Sequence, residues 1–147
     1  MIRWLAAILA AGLLLSACGS QSLDSAMKSW VSQSNYVANN SQLITDAQHS
    51  VAALRVKDES NKDLHTVCAV MYLESDQAGA ALPTPDTLVT KLLGDAYIKL
   101  NAGANVCYDA GSDSAKRALA ISDLSKGVGS LDEAYARIKS DTSSSSS

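Results

Sequence analysis

The sequence predicts an all-α fold, an up-down bundle of four longer helices with a short N-terminal helix, stapled by one disulfide. Three observations predict it. Apolar residues recur at spacings of three and four along most of the chain. No stretch keeps the period-two alternation or the β-branched clustering that a sheet requires. The breaks between the apolar stripes are short, which sets consecutive helices antiparallel.

From Ser22 to Tyr36, the residues Leu23, Met27, Trp30 and Val31 mark a short amphipathic helix that Asn35, Asn39 and Asn40 are expected to end. Ser41 is suited to cap a second helix with Leu43, Ile44, Ala47, Val51 and Leu54 on one face, closed by Arg55-Val56-Lys57-Asp58-Glu59. A third helix runs from about Asn61 to Ala80, presenting Leu64, Val67, Cys68 and Met71, then the smaller Ser75 and Ala78. Leu82-Pro83-Thr84-Pro85-Asp86 is the clearest punctuation. Pro83 pushes Leu82 out of helical geometry, Thr84 can cap the next helix, Pro85 fits its first position, and Asp86 suits the positive end of its dipole. Leu88, Leu92, Leu93, Ala96, Tyr97 and Leu100 supply the fourth buried stripe, with Lys91 and Asp95 spaced for an exposed ion pair. The last helix, from about Ser112 to Ser140, carries Ile121, Leu124, Val128, Leu131, Tyr135 and Ile138, with Gly127 and Gly129 as expected bends.

Ahead of these helices stand Met-Ile-Arg3, an apolar run from Trp4 to Leu15 and small residues before Cys18, the pattern of a secretory signal. The run is too short to span a membrane, which takes about 20 apolar residues. Leu15-Ser16-Ala17-Cys18 resembles the lipobox of bacterial lipoproteins. That resemblance implies cleavage before Cys18, lipidation of its thiol, and a domain held at the extracytoplasmic face of a cell membrane, with membrane lipid as the partner engaged through acylated Cys18. Each buried methylene contributes about 0.8 kcal/mol, so two or three acyl chains anchor a domain firmly where one does not. The alternative is an ordinary secreted chain cut near Ala17, with Cys18 an idle thiol. The expected organisation is a signal peptide over 1–17, a lipidated tether over 18–21, the bundle over 22–140 and a disordered Ser-rich tail over 141–147.

Cleavage removes Arg3 and moves the formal charge from -3 to -4. Scattered positive residues in a mildly acidic domain argue against nucleic acid as a partner. With Cys18 consumed by lipid, Cys68 and Cys107 remain as a pair in an oxidising compartment, and a disulfide between them is the default reading, two separate buried thiols the other. A loop of about 40 residues closed this way stabilises a fold by roughly 4 kcal/mol in the chain-entropy model. A tight turn at Pro83 would leave the two cysteines about 13 Å out of axial register, so either the fourth helix stops near Asn101-Ala102-Gly103 or Asn105, or the third is bent.

Trp30, Thr66-Val67-Cys68, Leu82-Pro83-Thr84-Pro85-Asp86, Ala96-Tyr97 and Cys107-Tyr108 together resemble small helical proteins exported by actinobacteria. The resemblance spans roughly Ser22 to Ser140 and implies fold and address, with no assigned activity. His65-Thr66-Val67-Cys68 puts two metal-ligand types on one helical face, with His49 and methionines as helpers, but the same Cys68 is claimed by the disulfide, and no metal or other cofactor is expected. Asp46, Asp63, Asp76 and Asp86 accompany many serines without a nucleophile elbow, so no catalytic residue is assigned and an enzyme is not expected. A pocket near Met71, Tyr72 and Tyr97 would make the bundle a small-molecule binder. The expected role is a protein-interaction or envelope-structural module whose partner is another envelope protein, with the small-molecule or metal-binding bundle as the alternative.

Overall fold

Five helices form among the described residues of the computed structural model, which are 22–56 and 61–143: α1 (Leu23–Gln33), α2 (Tyr36–Arg55), α3 (Asn61–Gly79), α4 (Thr87–Tyr108) and α5 (Ser114–Ser143). The segment 1–17, the tether with Cys18, the stretch 57–60 and the residues from 144 onward lie outside that description. The chain is an all-α bundle. In it α2 packs against α3 and α5, α4 packs against the same two helices, α2 and α4 barely touch across the diagonal, and α1 lies against α5 and α2. No described helix is long and apolar enough to cross a membrane.

Local chemistry sets the helix boundaries and moves several of them. Ser22 caps α1, its hydroxyl accepting from the Ser25 N–H. The break after α1 falls at Ser34-Asn35, earlier than expected: Asn35 takes a left-handed backbone (φ 51°), which asparagine tolerates, and α2 starts at once. Asn39 and Asn40 therefore sit inside α2, with Asn39 Nδ2 donating to the Ser34 carbonyl, and Ser41 caps nothing. Asp86, not Thr84, caps α4, its Oδ1 accepting from the Leu88 and Val89 N–H groups at 2.6 and 3.0 Å. Thr84 instead braces the turn, donating to the Asp86 carbonyl at 2.6 Å and lying 3.0 Å from the Thr90 hydroxyl. Helix α5 passes the expected end at Ser140, because Arg137 pairs with Asp141 at 3.2 Å and the Thr142 and Ser143 hydroxyls fold back onto the Ile138 and Lys139 carbonyls.

The Cys68–Cys107 disulfide joins α3 to α4 with a Cα–Cα distance of 5.7 Å. Helix α4 nevertheless continues unbroken to Tyr108. The expected axial mismatch is taken up by the connector, since Ala80–Asp86 is seven residues long and seven extended residues reach up to about 23 Å.

The core seam between α4 and α5 follows a heptad rhythm. Val89, Leu93, Ala96, Leu100, Gly103 and Cys107 are buried on α4, and Ala120, Leu124, Gly127, Leu131, Ala134 and Ile138 on α5. A methyl group on Gly127 would come within 2.6 Å of Leu100 Cγ, and one on Gly103 within 2.9 Å of the Leu124 backbone N. Each leucine thus fills the space that the opposing glycine leaves, which draws the two axes together. Gly127 serves close approach; Leu88 and Tyr135, expected in the core, are exposed.

Candidate functional site

At the end of the bundle where α2 begins and α3 finishes, the helices leave a cavity of about 190 Å³ whose walls include Tyr36, Asn40, Glu74, Gln77, Ala78 and Tyr97. The break at Ser34-Asn35 makes Tyr36 the first residue of α2, and the helical repeat then puts Asn40 and Leu43 on the same wall. Helix α3 supplies Glu74, Gln77 and Ala78, and α4 supplies Tyr97. Helix α1 holds this end in place through Trp30, whose indole N–H donates to the Ala81 carbonyl at 3.0 Å and whose ring lies 5.3 Å from that of Tyr36.

The polar groups in this cavity are only partly satisfied by the protein. Tyr36 is 4% exposed and Asn40 7%, yet among the described residues the Tyr36 Oη and the Asn40 Oδ1 are buried without a hydrogen-bond partner, and so, beyond the contact of its carboxyl with Asp46, is the Glu74 Oε2. Buried polar atoms are ordinarily paired, and leaving one unpaired costs about 1–3 kcal/mol. All three residues line one cavity, so a polar guest toward which these side chains turn would satisfy them. Burial, then the hydrogen bond and the charge of neighbouring Asp46, push Glu74 up to about 7. Asp46 in turn accepts from Gln42 Nε2 at 2.6 Å and lies 3.8 Å from His49 Nδ1. Burial raises both phenols as well, Tyr97 to about 12. No lysine or arginine among the described residues lines the cavity.

Of the residues singled out in the sequence, Tyr97 lines this cavity, whereas Met71 is wholly buried in the core and Tyr72 lies in a separate shallow groove between α3 and α4. Cys68 is committed to Cys107, His65 stacks on Tyr108 with ring centroids 4.3 Å apart, and His49 is exposed on α2. No cluster of three His, Cys, Asp or Glu side chains suited to a metal occurs among the described residues. Asp86 and Asp141 gather around Arg137, which lies 3.0 Å from Asp86 and 3.2 Å from Asp141. Burial works against the charged form of Asp86, but the Val89 N–H, the Arg137 guanidinium, the Leu88 N–H and the Asp141 carboxyl outweigh it and hold Asp86 below the ordinary carboxylate range. That cluster locks the start of α4 to the end of α5.

The sequence reading missed Tyr36, Asn40 and Glu74. Placing the helix break at Asn39-Asn40 took Asn40 off any wall, although its spacing of three from Leu43 was the available signal. No family model matches the chain, and neither a curated protein nor a solved structure is similar to it.

Proposed function

We propose that the chain is a small-molecule-binding helical bundle, tethered at the outer face of a cell membrane by lipid on Cys18. The observation that carries the binding role is the cavity at the start of α2, lined by three residues whose buried polar atoms lack a hydrogen-bond partner among the described residues. The tether rests on Leu15-Ser16-Ala17-Cys18 and the apolar run ahead of it. A tether confines the binder to the membrane surface and raises its effective concentration for anything passing there.

A second reading, an interaction module for another envelope protein, is favoured by the groove between α3 and α4. Tyr72, Ile98, Asn101 and Asn105 line it, and Ile98 is 69% exposed, a mixture of apolar and amide surface usual at protein interfaces.

Native mass spectrometry of the protein extracted gently from its own membranes, without reductant, separates the two. A chain beginning at Cys18 that carries covalent lipid and a non-covalent small molecule is the expected result. Lipid together with a second protein and no small molecule would transfer the function to the groove.

A further inference from the structure

The chemistry of the cavity narrows what it binds, an inference that rests on the ligand-binding reading above. Two of the three unsatisfied atoms, Asn40 Oδ1 and Glu74 Oε2, are acceptors, and the Tyr36 hydroxyl can accept as well. With no basic side chain on the walls among the described residues, the cavity offers acceptors, a carboxylate and two phenol rings, and lacks a counter-charge of its own. An anion is refused by the carboxyl groups of Glu74 and Asp46. A neutral alcohol has one donor for three acceptors. An ammonium group carries three donors and a positive charge, and aromatic faces attract it further. Size sets the rest: a cavity of about 150 Å³ takes up benzene, so 190 Å³ accommodates one ring with a short amine arm.

We propose that this cavity binds a small primary ammonium compound, its nitrogen donating to Glu74, Asn40 and Tyr36 and its apolar part lying against Leu43, Ala78 and Tyr97. Binding is linked to proton release. Glu74 and Asp46 share a hydrogen bond, and the position of Glu74 near 7 leaves it largely protonated in mildly acidic solution, so an arriving ammonium displaces that proton to solvent. The other groups around it are Asp46, with His49 beyond it on α2, the Tyr36 and Tyr97 phenols, which burial keeps neutral, and Asp132 and Tyr135 of α5, which act on Tyr36.

The test is calorimetric titration of the whole chain with benzylammonium, benzyl alcohol and benzoate, which match in size and differ in charge. We expect benzylammonium to bind at least about tenfold more tightly than the alcohol, benzoate not to bind, and ammonium affinity to rise several-fold from about pH 5.5 to about pH 8 with protons released to the buffer. Glu74→Gln should lower ammonium affinity by about tenfold and abolish the pH dependence, and Tyr36→Phe, which keeps the packing, should lower it about threefold. Equal binding of alcohol and ammonium with no effect of Glu74→Gln would overturn the ammonium proposal and leave a neutral-ligand pocket. Absence of binding by all three probes, with no amide shift at Asn40 or Glu74 in NMR spectra, would overturn the pocket as well.

Discussion

Glu74 holds its proton longer in the folded chain than in the unfolded one, since burial and Asp46 raise it from 4.5 to about 7. Between those values the folded chain binds more protons, so its stability falls as pH rises and the penalty is complete above about 7. Glu74→Gln cannot ionise. Its melting temperature should gain on the wild type between about pH 5 and about pH 8, and a constant difference across that range would contradict the burial described for Glu74. Asp86 has the opposite sign: its carboxyl is held low, so its contribution is present above the ordinary carboxylate range and lost as pH falls through the lowered value. Arg117 is the other residue on which much depends. It is 8% exposed and donates to the Leu54 and Val56 carbonyls at the end of α2 and to the Gly111 carbonyl in the α4–α5 turn. Arg117→Met keeps the stem and removes the donors. It should cost about 1–3 kcal/mol in urea denaturation, against less than about 0.5 kcal/mol for the exposed Arg55→Met. Neither Glu74 nor Arg117 stands out in the sequence, because spacing reports which face a residue occupies and not which polar atoms meet it from distant parts of the chain.

The helices are where the sequence was most legible, and the seam between α4 and α5 shows its limit. Ile121, Val128 and Tyr135 stand out in the sequence because they are large and apolar, but the positions buried against α4 are one residue earlier, at Ala120, Gly127 and Ala134. Close approach needs small side chains, and a hydrophobicity pattern ranks these low. Gly103→Ala and Gly127→Ala should each destabilise by about 1–3 kcal/mol through overpacking. Gly129→Ala, where an added methyl meets nothing within 4 Å, should stabilise by about 0.5–1 kcal/mol; thermal denaturation of the three variants checks the ordering. The Pro83-Thr84-Pro85 punctuation marks a helix boundary that the sequence makes plain. Its cap is less legible, because Thr84 and Asp86 are both good cap residues and only the connector's path decides between them.

Across the whole molecule, the disulfide fixes α3 to α4 and the α4–α5 seam carries the adjoining half of the bundle. Reduction should lower stability by about 2–4 kcal/mol, measured as the shift in urea midpoint with and without reductant; no shift would remove the staple from the account. Cys18→Ala should move the domain from membrane to soluble fractions without changing its circular dichroism, and retention on membranes would sink the lipid tether. The cysteine pairing followed from counting cysteines, whereas counting residues along the helices put the pair out of register because the length of the connector was not allowed for. The cavity was not legible, since it arises where several separate segments fail to fill the space between them, which no single helix pattern records. The most direct measurement is a crystal structure of the protein purified from its own cells. The expected result is an ordered molecule other than water in the cavity, with a nitrogen in hydrogen-bond reach of Glu74, Asn40 and Tyr36. A cavity holding only water on those three atoms, or collapsed onto Tyr97, would contradict it.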